Sequence, residues 1–214
     1  MRMLARMLQI FHDALFPPRA TALLVRSCRT LPLSVREIES HTHALALLPY
    51  HQPHVQASVI EAKFHRNARA QQLLGQTLAS YLASYIEEFG ALSGTIHLVP
   101  VPLSRARLRA RGYNQVDLVC REALTRLPGS SLTYHPNLLT RVRDTAPQTT
   151  LNRSRRLQNM QGAFDLSTGL SPLSAHDTYI IVDDVATTGS TLAAAKQALR
   201  AAGAKHIELL TFAH

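Results

Sequence analysis

The sequence predicts an α/β fold, a mostly parallel sheet flanked by helices, and three stretches of it carry that prediction. An apolar run at 179–182 leads into a polar loop at 183–191, a helical segment at 192–202 stopped by Gly203, and a last apolar strand at 206–212. Upstream, Ala70, Leu73, Leu74, Thr77, Leu78, Tyr81, Leu82, Tyr85, Ile86 and Phe89 repeat at i, i+3, i+4 spacing, the stripe of an amphipathic helix. Between the two lies a short buried strand at 96–101, closed by Pro100 and Pro102. A strand–loop–helix–strand order implies βαβ units, which join parallel strands.

Taken in chain order, residues 1–49 form an N-terminal segment punctuated by Pro17, Pro18 and Pro32, with only short periodic stretches, and residues 50–214 form the α/β domain. The helical stripe ends at Gly90 and Gly94. After the strand at 96–101, a second helix begins near Asn114. Val116, Val119, Cys120, Ala123, Leu124 and Leu127 share one face of it, and Pro128-Gly129 stops it. Residues 141–163 are polar, arginine-rich and aperiodic, and predict a long loop of the functional kind.

With 46% hydrophobic and 17% charged residues, the 214-residue chain has the composition of a folded domain. Its formal charge is +9, and the excess is concentrated: from Arg105 to Arg156 there are eleven arginines against Asp117, Glu122 and Asp144. A concentrated basic stretch suits a polyanion, either a phosphorylated small molecule or nucleic acid. Cys28 and Cys120 make no disulfide framework and point to a reducing compartment. Residues 1–16 lack a secretory h-region and no run is long enough to span a membrane, so a cytoplasmic protein without membrane partners is expected. His12, His41, His43, His51, His54 and His65 are isolated and receive no role.

The chemistry concentrates where the strand at 179–182 delivers Asp183 and Asp184 to its carboxyl end, followed by Val185, Ala186, Thr187, Thr188, Gly189, Ser190 and Thr191. Ligands of open α/β sheets bind beyond the carboxyl ends of the strands. A small, hydroxyl-rich turn at a helix start offers backbone N–H groups and the positive dipole end to a phosphate. Adjacent carboxylates repel phosphate; they suit vicinal hydroxyls, with Mg²⁺ held directly or through water. Together these features describe a sugar phosphate site.

This run resembles the phosphoribosyl-pyrophosphate (PRPP) motif of type I phosphoribosyltransferases. Purine-salvage relatives place an aspartate where Thr187 stands, as general base; a threonine hydroxyl is too weakly basic for that, so purine salvage is disfavoured. Lys63-Phe64, the VPVPL block at 99–103 with RGYNQ at 111–115, the block with Arg141, Arg143, Thr145, Gln148, Arg155, Asn159 and Gly162-Ala163-Phe164, and VDDVATTGST at 182–191 occur in the order seen in the ComF family. That resemblance covers roughly residues 50–214.

The resemblance implies a competence-associated protein that handles incoming DNA. It implies that Asp183 and Asp184 are the catalytic acids, that 183–191 hold PRPP with Mg²⁺, and that Arg105 and Arg111 face pyrophosphate. Arg143, Gln148 and Arg155 would sit on a mobile loop closing over the ligand. Many family members carry a four-cysteine zinc ribbon after a Leu-Phe-Pro-Pro stretch. Here Leu15-Phe16-Pro17-Pro18 is followed by no cysteine pair, and Cys28 with His41 and His43 makes a poor tetrahedral set, so the N-terminal appendage is expected to bind no zinc. Two functions are in view: Mg²⁺-dependent phosphoribosyl transfer from PRPP, or a non-catalytic module that binds a nucleotide or single-stranded DNA and a competence helicase.

Overall fold

The computed structural model describes residues 17–38, 42–90, 94–127, 129, 132–142, 162–167 and 172–214. A six-stranded sheet runs in the order β1 (Arg36–Glu37), β2 (Leu45–Leu48), β8 (His206–Ala213), β7 (Thr178–Val185), β3 (Ile96–Pro100), β4 (Leu132–Tyr134). Only β1 is antiparallel to its neighbour; β2, β8, β7, β3 and β4 are parallel throughout. The α/β expectation is met.

Helices cover both faces of the sheet. On one side, α1 (Ala20–Ser27), α2 (Pro53–His65), α3 (Ala68–Phe89) and α5 (Gln115–Leu124) pack against Ile96, Leu98, Ile180, Val182, Leu210 and Phe212. On the other, α6 (Ser190–Ala201) and the two-stranded sheet of β5 (Leu139–Arg141) and β6 (Phe164–Leu166) cover Val99, Tyr179, Ile181 and Leu209. Alternate residues of β7 therefore enter opposite cores, which is why its sequence is an unbroken apolar run. A last helix, α4 (Arg105–Arg111), lies at the carboxyl end of β3 and buries no residue.

Two expectations need correction. Strand β7 does not stop at Val182; it continues through Asp183 and Asp184 to Val185, because Asp183 and Val185 still pair with Thr211 and Ala213 of β8. Ladder pairing uses the backbone and is indifferent to the carboxylates it carries. A boundary at residue 49 does not separate two packed units either. β2 pairs in parallel with β8, and Val25, Cys28, Leu31 and Leu47 belong to the same core as Leu73 and Leu98.

Helices α3 and α5 meet at Gly75, where a Cβ would lie 2.6 Å from Glu122 Cγ, 2.9 Å from its Cβ and 3.2 Å from the Ala123 backbone nitrogen. Alanine in a helix interior is worth about 1 kcal/mol over glycine. Overpacking a close helix contact costs about 1–3 kcal/mol. We therefore expect Gly75→Ala to lower stability by about 1 kcal/mol net, measured by urea denaturation, with Gly75→Val worse.

Candidate functional site

Beyond the carboxyl ends of β3 and β7 lies a cavity of about 250 Å³, and six elements contribute to its wall. Asp183, Asp184 and Val185 come from β7, Thr191 from α6 and Arg141 from β5. Arg107 and Arg111 project from α4, Gln115 from the first turn of α5, and Lys63 from the last turn of α2. Four cationic side chains thus face two carboxylates, which leaves the cavity electropositive and suited to a polyanion.

The two carboxylates differ. Asp184 Oδ2 is 2.5 Å from Lys63 Nζ and accepts from Gln115 Nε2 at 2.7 Å, while its Oδ1 accepts from the Val185 N–H at 2.7 Å. Burial works against its ionisation, but the Lys63 charge and these hydrogen bonds outweigh it and hold Asp184 below the usual carboxylate range. Asp183 Oδ1 accepts from the Asp184 N–H at 2.8 Å. Burial first, and the Asp184 charge second, push its carboxyl up to about 7. One acid is ionised, and its neighbour sits at the threshold of ionisation near neutral pH.

Gln115 is itself oriented by Arg111, whose guanidinium donates to its Oε1. The block at 111–115 therefore works as a unit. Asn114 caps α5 at the Val116 N–H and ties back to the Val101 carbonyl at 3.0 Å. Tyr113 reaches α2 instead: its hydroxyl lies 3.1 and 3.0 Å from the carbonyls of Ala62 and Lys63 and accepts the Arg66 N–H at 2.9 Å. That contact fixes the last turn of α2, which carries Lys63.

Next to the large cavity, and sharing Asp183, Val185 and Thr191 with it, is a small recess of about 20 Å³ formed by residues 185–192. Gly189 caps α6 with φ +70 and provides no side-chain acceptor for the first-turn amides. Helices α3, α4 and α5 by contrast are capped by Asn67, Ser104 and Asn114 side chains. The first-turn residues Ser190, Thr191 and Leu192 of α6 line the recess, and Thr188 Oγ1 donates to Ser190 Oγ beside it. On the outer side His214 Nδ1 contacts the Ala186 carbonyl at 2.7 Å and steadies the loop.

The structure thus brings Asp183, Asp184, 185–191 and Arg111 together. Arg105, expected beside Arg111, is exposed at the start of α4 and is not among the residues lining the cavity; Arg107, two residues further on and on the other side of the helix, is. Arg143, Gln148 and Arg155 lie outside the described residues. Sequence reasoning gave Lys63, Gln115, Arg107 and Arg141 no place at the centre of the site. The signal for Lys63 and Gln115 was present in the Lys63-Phe64 and RGYNQ blocks, but nothing in spacing alone says that α2 and α5 converge on one carboxylate.

Two adjacent carboxylates, which offer oxygen donors alone, suit a hard divalent cation such as Mg²⁺ that keeps most of its water or phosphate ligands. No group of three or more histidine, cysteine, aspartate or glutamate side chains suited to a metal occurs among the described residues. No helix among them is long and apolar enough to cross a membrane.

Residues 132–214 match the family model of the phosphoribosyl transferase domain. The chain is 36% identical over 112 residues to competence protein F of Haemophilus influenzae, which covers 52% of this chain and 47% of that protein. It is 33% identical over 157 residues to the DNA utilization protein YhgH of Salmonella typhimurium, covering 73% and 66% respectively. The Escherichia coli K12 protein of the same name is 38% identical over 112 residues, 52% of this chain and 46% of that one. The matched region thus spans between about half and two thirds of the length of these relatives.

Proposed function

Since this chain belongs to the ComF family of phosphoribosyltransferase-like proteins, we propose that its cavity binds PRPP with Mg²⁺ and supports transfer of the phosphoribosyl group. The observation that carries the reading is the juxtaposition of Asp183 and Asp184 with the uncapped amide recess of α6, inside a wall that bears four cations. In this reading the 5′-phosphate takes the amides of 187–191, the ribose hydroxyls meet the carboxylates, and the pyrophosphate lies toward Arg107 and Arg111. Mg²⁺, held by Asp183 and Asp184 through water and by ligand oxygens, would neutralise the charge of the leaving pyrophosphate. The protein contributes position and electrostatics: Lys63 and Gln115 keep Asp184 ionised and oriented, and the arginines stabilise charge as it develops.

Thr187 is exposed and carries no base, so the acceptor brings its own nucleophilicity, as an amine does. The names of the relatives, competence protein F and DNA utilization protein, connect the proposed chemistry to the handling of DNA within the cell.

The test is calorimetry with PRPP, ribose 5-phosphate and pyrophosphate, each with and without Mg²⁺. PRPP is expected to bind most tightly and to need the metal, because only it engages both ends of the cavity. Gly189→Val, strained at φ +70, is expected to weaken PRPP about tenfold or more by misplacing the α6 amides. Absence of heat at millimolar PRPP, or equal affinity for pyrophosphate alone, would overturn the reading. Pyrophosphate release on adding an amine acceptor reports turnover.

A further inference from the structure

Lys63 occupies a place that a site for a metal-bound ligand does not by itself require. Its ammonium lies 2.5 Å from Asp184 Oδ2, the oxygen that also accepts from Gln115 Nε2, while Oδ1 accepts from the Val185 N–H. An ionised carboxylate offers about four lone-pair sites on its two oxygens. Three donors already fill the Asp184 carboxylate to that extent. A metal ion reaching Asp184 in the ligand-free protein therefore has to displace the ammonium or share an oxygen with it, and two cations held that close repel.

The side chain is fixed at its root and loose at its tip. The Tyr113 hydroxyl holds the Ala62 and Lys63 carbonyls, and Arg66 closes α2 at φ +47, so the backbone that carries Lys63 is pinned. The side chain itself is 29% exposed, on a flexible four-carbon stem that ends in a compact point charge. Such a group holds a carboxylate and also lets it go. Arg107, Arg111 and Arg141 add to the positive charge of the same wall. A bare divalent cation meets a cavity whose two carboxylates are outnumbered by cations, whereas Mg²⁺ that is already bound to PRPP arrives as an anion and is drawn in.

We propose that Lys63 is the resident counter-ion of the carboxylate pair and keeps the ligand-free protein from taking up a divalent cation. The metal then enters with its anionic ligand, and the ammonium passes from Asp184 to the oxygens of that ligand. This last step rests on the reading of the cavity as a site for PRPP and Mg²⁺. The exclusion of bare metal stands on the geometry of Lys63 and Asp184 alone. It adds to that reading an order of entry and the residue that enforces it.

The probe is Mn²⁺, which takes the same oxygen ligands as Mg²⁺ and whose unbound ion is counted by electron paramagnetic resonance. Titrations are run at pH 8 without PRPP, and binding at the carboxylates is the part that Asp184→Asn removes. Wild type is expected to show no such part. Lys63→Met keeps the bulk of the stem without its charge, and is expected to bind Mn²⁺ at the carboxylates at least about tenfold more tightly than wild type. Lys63→Arg restores the charge and is expected to exclude Mn²⁺ as wild type does, which a purely structural role for the lysine stem would not produce. Mn²⁺ held by ligand-free wild type and lost in Asp184→Asn would overturn the proposal without any change at Lys63. So would equal, weak binding by wild type and a folded Lys63→Met, or uptake by Lys63→Arg as strong as by Lys63→Met. Exclusion of Mn²⁺ that depends on the Lys63 charge, in a protein that gives no heat with Mg²⁺–PRPP, would overturn only the previous reading.

Discussion

Asp183→Asn is expected to raise the melting temperature of the ligand-free protein at pH 8 while removing its response to Mg²⁺–PRPP. In the folded chain burial and the adjacent Asp184 push the Asp183 carboxyl up to about 7, against an ordinary value of 3.8. Between those values the folded state holds a proton that the unfolded state has lost, so this group's contribution to stability falls as pH rises from about 4 to about 7 and stays low above it. Asparagine keeps an oxygen to accept the Asp184 N–H and carries no charge to penalise. We expect a gain of about 2 kcal/mol at pH 8, equivalent to roughly 4–8 °C for a chain of this length, and little gain at pH 4. Paired thermal scans at the two pH values measure it. In the proposed reading the same substitution deletes the negative charge offered to Mg²⁺ and to the ribose hydroxyls, so the shift produced by PRPP should vanish. A carboxylate retained at a cost in stability is what a binding site requires and a structural residue does not. A variant that is less stable than wild type at pH 8 would show Asp183 to be a scaffold residue instead.

The part of the fold legible in the sequence is the part where local pattern and tertiary role coincide. Strand β7 is buried on both faces and reads as a continuous apolar run, and α3 presents one apolar stripe to one core. In the proposed reading the turn at 185–191 binds through its own backbone, so the residues that form it are those that identify it. The rest of the site is assembled from a distance. Helix α2 is buried around most of its circumference, through Val55, Ala57, Ser58, Val59, Glu61 and Ala62, and so shows no amphipathic stripe. Lys63 at its end is therefore marked by the Lys63-Phe64 block and by no periodicity of the helix. Helix α4 alternates arginine with Ala106, Leu108 and Ala110, a period that suggests neither a core helix nor a strand face. The strands β1, β2, β5 and β6 have two to four residues each, too few for a period to show, and gain their stability from partners far along the chain. Hence the loop ahead of α6 is legible, although β7 and α6 both reach into it, while the places of Lys63, Gln115 and Arg107 depend on how α2, α5 and α4 converge.

The largest loss of stability is expected from a residue that touches no ligand. Glu61 is fully buried, two positions before Lys63, and its carboxylate accepts from Arg19 Nε and Nη2 at 3.0 Å each, Thr21 Oγ1 at 2.6 Å and Asn67 Nδ2 at 3.0 Å. It thereby joins the start of α1, the body of α2 and the N-cap of α3. The Arg19 hydrogen bonds, helped by Thr21 and Asn67, overcome the cost of burial and hold the carboxyl down to about 2. Removing it leaves the Asn67 amide and Thr21 hydroxyl to find other partners, whereas Arg19, half exposed, returns to water; we expect Glu61→Ala to cost about 3 kcal/mol at pH 7, measured by urea denaturation. The sign with pH is opposite to that of Asp183. A depressed carboxylate stabilises fully above its ordinary value of 4.5 and loses that stabilisation as pH falls toward 2, so the gap between wild type and Glu61→Ala should narrow between pH 5 and pH 2. Because the same network sets how α2 is seated, the variant should also loosen Lys63 from Asp184. PRPP affinity is then expected to weaken at temperatures well below the melting transition, even though the substituted side chain lies outside the cavity wall. An unchanged affinity in a destabilised protein would show that Tyr113 alone positions the end of α2.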